Sequence, residues 1–297
     1  MVLRSQAPAF RTGLIGHDGV PRTLEAPSSG LERLIENTTQ PVSQATLRAD
    51  LERLGVTAGQ ILILHCSLSA IGWVCGGAPA VIGAVMDALT PSGTLVMPAQ
   101  SSDLTDPASW SAPPVPEAWW ADIRATMPPY DPRTTPTRGM GIVAEQFRTW
   151  SGVLRSPHPV FSFTALGPAA ATIVARQPLA DPFGEDSPLA RLHELDARIL
   201  LLGVGFDRCT ALHLAERRAW PDRPRTEHGS PMLVDGERRW ERYGVPAMDD
   251  GQFAAIGQAT AGAAGQHRGL IGSASCHFVH LRDIVDEAVR LWRENAA

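Results

Sequence analysis

The run Ile61-Leu62-Ile63-Leu64-His65-Cys66-Ser67-Leu68-Ser69 decides the fold class. Four successive large apolar residues, bounded by Gly59 on one side and a Ser-rich turn on the other, predict a strand buried on both faces. Upstream, Leu47, Leu51 and Leu54 form an i, i+4, i+7 stripe within Ser43–Leu54, and Gly55 follows as a stop, which predicts a helix packed on the sheet. Downstream, Ala80–Leu89 reads as a helix, Pro91-Ser92-Gly93 as its stop and Thr94–Met97 as a second strand. This β-α-β order implies parallel pairing. A third apolar run, Ile199–Val204, ends in Gly-rich backbone and leads into a helix starting at Thr210, so active groups should gather at these strand ends. Towards the C-terminus the pattern changes: Asp235-Gly236, between Met232-Leu233-Val234 and Arg238–Tyr243, signals a type I′ hairpin, and Leu281–Trp292 makes a closing helix. The expectation is an α/β protein with a mixed, partly parallel central sheet flanked by helices.

Residues 1–40 alternate short apolar pieces with Pro, Gly and Ser, and read as an N-terminal extension with one short helix around Leu31–Ile35. Residues 41–297 then form a single domain. Within it, residues 106–132 hold seven prolines with Trp110, Trp119 and Trp120, which excludes regular structure apart from a short helix near Glu117–Arg124. Such an insertion is either an Ω-loop pinned by tryptophan burial or a cover over the substrate.

Composition narrows the chemistry. The 297 residues are 44% hydrophobic and 19% charged, enough for a large core. All 26 basic residues are Arg. A chain without Lys forms no protein-lysine Schiff base and carries no P-loop or kinase lysine. A net charge of -5 argues against a general nucleic-acid binder and suits a cationic ligand. Cys66, Cys75, Cys209 and Cys276 show no Cys-x-x-Cys spacing, so a reducing, cytoplasmic compartment is expected. The first 30 residues contain no signal-peptide or membrane-spanning run.

The most informative chemistry lies in Thr210-Ala211-Leu212-His213-Leu214-Ala215-Glu216-Arg217-Arg218. With Thr210 as N-cap, His213 falls in the first helical turn, with Glu216 three residues on along the same face. The helix N-terminus disfavours imidazolium by roughly 0.3–1 kcal/mol, Arg217 acts in the same sense, and Glu216 can hold one ring nitrogen. The result is either a neutral, oriented general base or a histidine that only caps its own helix. Ser67, Leu68 and Ser69 form a turn ahead of a helix, whose backbone N–H groups can hold phosphate or an oxyanion; Cys66 beside them raises a covalent acyl-enzyme path, against which stands the ordinary buried thiol.

Thr134-Thr135-Pro136-Thr137-Arg138-Gly139-Met140-Gly141 opens a further helix with a Thr, an Arg and bare backbone, suited to phosphate or to no ligand at all. Arg155 and His158 sit in rigid, Pro-flanked backbone where a structural His is the expectation. Cys276, His277 and His280 lack a fourth partner at zinc spacing, so no metal is expected. Asp181, Glu185 and Asp186 read as solvated loop acids.

Taken together and in order, these segments resemble the aminoglycoside 3-N-acetyltransferase family. The resemblance is carried by His65-Cys66-Ser67-Leu68 to Ile71-Gly72-Trp73-Val74, Gly76-Gly77, Gly93-Thr94-Leu95-Val96-Met97-Pro98 and Thr135–Gly141. It continues through Arg155-Ser156, His158-Pro159, Ser187-Pro188-Leu189 and Leu201–Glu216, and spans roughly residues 41–295. It implies the antibiotic N-acetyltransferase fold, distinct from the common small acetyltransferase fold. It further implies acetyl transfer from acetyl-CoA to the 3-amino group of a 2-deoxystreptamine drug, which confers antibiotic resistance.

By the same resemblance His213 is the catalytic base and Glu216 its orienting partner. Ser67, Leu68, Ser69, Thr137, Arg138, Gly139 and Met140 hold the co-substrate. Two departures stand out. Cys66 replaces a serine of the family pattern, so a thiol nucleophile is no family feature. Val245 and Ala247 stand where drug-modifying members carry two acids, leaving Asp103, Asp249 and Asp250 as the substrate-binding acids and a non-aminoglycoside amine as the alternative acceptor. No nucleic-acid or membrane partner is implied, and the oligomeric state is left open.

Overall fold

The computed structural model describes residues 30–260 and 265–294. The chain divides into two compact units between Thr39 and Gln40. In the first, helix α1 (Gly30–Glu36) covers the short helix expected around Leu31–Ile35, and the rest of the proposed extension lies outside the described residues.

The second unit runs α2 (Gln44–Leu54), β1 (Ile61–Cys66), α3 (Leu68–Ile71), α4 (Gly77–Leu89), β2 (Thr94–Pro98), α5 (Trp120–Thr126), α6 (Gly141–Arg148), β3 (Leu154–Arg155) and β4 (Phe163–Leu166). It continues with α7 (Ala170–Val174), α8 (Pro188–Glu194), β5 (Arg198–Leu202), α9 (Leu212–Ala219), β6 (Arg225–Val234), β7 (Glu237–Pro246), α10 (Phe253–Ala259), β8 (His267–Ile271), β9 (Ala274–His280) and α11 (Leu281–Glu294). Helix α2 starts where a capping box allows it: the Ser43 hydroxyl accepts from the Thr46 N–H and the Thr46 hydroxyl accepts from the Ser43 N–H. It stops at Gly55, whose φ of 111° suits glycine.

Seven strands form the main sheet in the order β3-β4-β2-β1-β5-β9-β8. β1 pairs in parallel with both β2 and β5, while β4 and β9 run antiparallel to their neighbours, so the sheet is mixed. Side-chain alternation supplies two core layers. Leu62, Leu64, Leu95, Met97, Leu200 and Leu202 pack under α2, α4 and α6, while Ile63, Val96, Ile199 and Leu201 pack against α7 to α11. Because both faces are covered, the C-terminal ends of the parallel strands β1, β2 and β5 are left for a ligand.

The hairpin β6–β7 turns at Asp235 and Gly236, with φ of 53° and 81°, the type I′ geometry its sequence demands. The Pro/Trp-rich insertion docks on it. Tyr130 donates its N–H to the Pro231 carbonyl (2.9 Å), Arg238 donates to the Met127 carbonyl (2.9 Å), and the Ser230 hydroxyl donates to the Leu104 carbonyl (2.7 Å). Arg124 clamps Asp106 through two bonds of 2.7 and 2.9 Å. These contacts make the segment a pinned loop that extends the hairpin, and α5 is its one regular helix.

Candidate functional site

Gly203 lets the strand ends converge. Its φ is 68°, and a Cβ there would lie 2.4 Å from the Ala70 Cβ, so only glycine lets the end of β5 pass this close to α3. The Ser67 N–H donates to the Leu202 carbonyl (2.9 Å), stitching the β1–α3 turn to β5. Ser67 therefore does not offer its own amide to a ligand, contrary to the simplest reading of this turn. The first-turn amides of Leu68 and Ser69 are the ones left to do so.

The Thr137–Met140 segment lies alongside: a Cβ on Gly141 would sit 3.6 Å from the Cys66 carbonyl. Gly139 and Gly141 have φ of 73° and 82°, and Met140 precedes α6 directly. Thr137 is turned inward, since both its N–H (2.7 Å) and its hydroxyl (2.8 Å) donate to Glu145 Oε2. Burial pushes the Glu145 carboxyl up, but hydrogen bonds from Arg148 and Thr137 outweigh it and bring it down to about 2. Arg148 also donates to the Arg133 carbonyl (2.7 Å), so Thr137 shapes the loop, and its donors are committed. Arg138 is exposed and lies 3.5 Å from Asp103, which puts a candidate substrate acid in an ion pair with a candidate co-substrate residue.

Arg155 is structural. It donates to the carbonyls of Thr135 and Ala99 and to the hydroxyls of Ser101 and Ser162, and stacks over Tyr130 at 5.2 Å. His158 is structural too: its Nδ1 accepts from the N–H groups of Val160 and Phe161 (3.1 Å each), and burial pushes it down to about 3.

His213 occupies the first turn of α9. The N-cap is Ala211, with no side-chain cap, and not Thr210 as the sequence suggested; Thr210 instead offers its carbonyl to the His213 N–H (3.1 Å). A Thr two residues before the helix cannot reach the N2 or N3 amide that an N-cap hydroxyl would serve. His213 Nδ1 lies 2.6 Å from Glu216 Oε2. The ring is stacked on Phe183 (centroids 4.8 Å, 15°) and meets Phe253 edge-on (4.9 Å, 65°). With Nδ1 held by a carboxylate and the faces covered by aromatics, Nε2 is the nitrogen available for proton transfer.

Glu216 is 3% exposed, and its other oxygen accepts from Arg223 Nη1 (2.7 Å) and the Asp249 N–H (3.0 Å). The imidazole lines a small pocket of about 10 Å³ together with Val245, Pro246, Ala247 and Met248. Arg217 does not act on the ring as the sequence suggested: it is paired with Asp181 at 2.8 Å. Asp181 and Arg217 also line a wider surface cavity of about 550 Å³, where Arg218 and Glu185 pair in turn. Asp181 and Glu185 are therefore partners of arginines, not simply solvated acids.

Of the expected substrate acids, Asp249 reaches Glu216 only through its backbone, its carboxylate accepting from the Gly251 N–H (3.0 Å). Asp250 is exposed next to it and Asp103 belongs to the Arg138 pair. Phe183, Phe253, Asp181 and Arg223 complete the surroundings of His213 and carry no sequence motif; only the Asp-Pro-Phe-Gly turn around Phe183 hints at a fixed position. No group of three or more His, Cys, Asp or Glu suited to a metal occurs among the described residues, and no described helix is long and apolar enough to cross a membrane.

Comparison with known proteins matches residues 63–293 to the family model for aminoglycoside 3-N-acetyltransferase. The chain is 42% identical over 266 residues to the SPbeta prophage-derived aminoglycoside N(3')-acetyltransferase-like protein YokD of Bacillus subtilis, covering 89% of this chain and 97% of that protein. The crystal structure of that protein superposes with a TM-score of 0.86 over 89% of this chain and 98% of its own. Aminoglycoside N(3)-acetyltransferase VIII of Streptomyces fradiae is 39% identical over 280 residues, 89% of this chain and 96% of that enzyme. A solved AAC-IIIb in binary complex with CoASH is 30% identical with a TM-score of 0.76, over 86% of this chain and 98% of that one. With its mixed sheet, its ordered strand-end turns and relatives that match over nearly their full length, this chain belongs to the aminoglycoside 3-N-acetyltransferase family.

Proposed function

We propose that this acyltransferase moves acetyl from acetyl-CoA directly to an amino group, with His213 as general base and Glu216 as its orienting partner. The observation that carries the reading is the 2.6 Å Nδ1–carboxylate contact in an imidazole packed between Phe183 and Phe253. In that arrangement Glu216 fixes the tautomer with the proton on Nδ1. His213 Nε2 takes a proton from the acceptor nitrogen as it attacks the thioester carbonyl carbon. The new N–C bond forms, the C–S bond breaks, and the proton passes on to the departing sulfur.

Leu68, Ser69, Gly139 and Met140 fit the co-substrate, because bare backbone at the converging starts of α3 and α6 allows close approach of pantetheine and phosphate oxygens. The CoASH complex of the related AAC-IIIb supports this use. Arg138, exposed at the same loop, supplies a cation for phosphate. Ser67 and Thr137 then act by shaping these turns.

The acceptor we assign first is the 3-amino group of a 2-deoxystreptamine aminoglycoside, in keeping with the family. A different amine is the second reading, and a specific observation favours it: the pocket that His213 lines is also lined by Val245 and Ala247, and its charges, Glu216 with Arg223 and Asp181 with Arg217, are already paired. A drug bearing several ammonium groups needs carboxylates that are not spent on arginines. Turnover with acetyl-CoA across aminoglycosides and simple amines decides between the two. In the same assay His213→Ala should lose at least about 10²-fold in kcat while calorimetry shows unchanged acetyl-CoA affinity. Near-parental turnover in that variant refutes the base assignment.

A further inference from the structure

Arg223 follows α9 in the loop Trp220-Pro221-Asp222-Arg223-Pro224, and nothing in its local sequence marks it as more than a surface arginine. The structure gives it three contacts that converge on the base. Its Nη1 donates to Glu216 Oε1 at 2.7 Å and to the Ala247 carbonyl at 3.1 Å, and its guanidinium lies 4.3 Å above the Trp220 ring. One side chain therefore joins the carboxylate behind the proposed catalytic imidazole to the chain segment that lines the same pocket.

The charge balance around Glu216 makes this contact consequential. The carboxylate is buried, and its two oxygens meet three donors: the His213 ring, Arg223 and the Asp249 N–H. The other charged groups on the surrounding elements are committed elsewhere. Arg217 on α9 pairs with Asp181, and the Asp249 carboxylate accepts from Gly251. Asp250 stands exposed beside it, and Phe183 and Phe253 present only rings. A buried carboxylate needs one cation. With Arg223 filling that role, the imidazole can stay neutral, with its proton on Nδ1 and a free lone pair on Nε2. Without Arg223 the nearest group able to become a cation is His213 itself, and an imidazolium cannot accept a proton.

We propose that Arg223 is a positioning residue that serves as the counter-charge of Glu216, keeping His213 neutral and able to act as a base, and that ties the base to the Ala247 wall. The kinetic half of this inference rests on His213 being the base; the electrostatic half does not.

The test uses the full chain with Arg223→Gln and Arg223→Lys. For each, kcat/KM is followed against pH, the ¹⁵N signals of the His213 ring are recorded in the unliganded protein, and acetyl-CoA binding is measured by calorimetry. A charge within a few ångströms ordinarily moves a titration by one to three units, and the guanidinium, a like charge to imidazolium, acts here across an intervening carboxylate, so Arg223→Gln should move the acidic limb up by about one pH unit. The ring should show more imidazolium than the parent at the same pH, with acetyl-CoA affinity unchanged. Arg223→Lys should keep the parental limb despite a lower plateau, and it carries the test alone if the glutamine variant does not fold.

A limb and ring signals that stay parental in folded Arg223→Gln overturn the proposal, as does a displaced limb in Arg223→Lys. A loss equal at every pH with parental ring signals also overturns it, because that is the signature of mere packing. Ring signals that move while the kinetic limb stays put uphold the counter-charge role and refute His213 as the base, so the two failures are distinguishable.

Discussion

Cys66 is the residue on which direct transfer and a covalent acyl-enzyme path part company. It sits at the end of β1, beside the turn assigned to the co-substrate, so position alone does not decide. Burial pushes its thiol up to about 12 from an ordinary 9.0, with Cys276 adding to the effect. At pH 7 a thiol at 9.0 is about 1% thiolate and one at 12 about 0.001%, a loss of roughly 10³ in the reactive form. A more basic thiolate is intrinsically more nucleophilic, but with a Brønsted slope near 0.45 three units return only about 20-fold. The net penalty is about 50-fold against an unassisted thiol, where a nucleophilic cysteine needs an advantage. His65, the adjacent ring, supplies none, because burial takes it down to about 4 and it carries no charge at neutral pH. Cys66→Ser should therefore keep kcat within about threefold, and mass spectrometry of the parent mixed with acetyl-CoA alone should show no acetyl adduct on Cys66. An adduct that forms as fast as kcat, or a loss beyond about 10³-fold in a folded Cys66→Ser protein, refutes this reasoning.

Two further outcomes follow from burial and backbone geometry. Burial holds His65 near 4 and His158 near 3, below the ordinary 6.5, so the folded chain refuses protons that the unfolded chain takes up; stability is whole above pH 6.5 and is lost as pH falls from there towards 4. Each histidine contributes a slope of up to about 1.4 kcal/mol per pH unit. Urea unfolding between pH 7 and 5 should show this fall and His65→Leu should reduce it, whereas a flat profile sinks the assignment. Gly203→Ala places a Cβ 2.4 Å from Ala70 at a φ of 68°, and should cost about 2 kcal/mol and raise the KM for acetyl-CoA through the displaced Ser67 turn, readable as a lowered Tm and a KM shift.

What the sequence made legible was local. β1 and β5 are continuous apolar runs because they are covered on both faces, and Asp235-Gly236 needs two positive φ values that few other pairs tolerate. His213 and Glu216 were readable for the same reason: i and i+3 on a helix face one another whatever surrounds them. Phe163–Leu166 carries four residues of a sheet and shows no period, so β4 becomes visible only through its pairing with β2. Thr137 looked like a phosphate donor until Glu145, eight residues on, was seen to take both its hydrogens.

The same limit explains why Arg223, beside the proposed base, carries no signature in the sequence. A chain whose cations are all arginine offers no local sign of which one is buried against a carboxylate and which is solvated. Arg217 and Arg223 illustrate the difference, since the nearer in sequence to His213 turns away to Asp181 and the farther one neutralises Glu216. The choice between them is made by where the exit of β7 passes, because the Ala247 carbonyl and the Asp249 N–H converge on the same carboxylate and guanidinium. The strand that brings Val245 and Ala247 to the pocket beside His213 thus also completes the electrostatics of the proposed base. Changes in that strand that alter which amine is accepted should therefore alter the pH dependence of transfer as well.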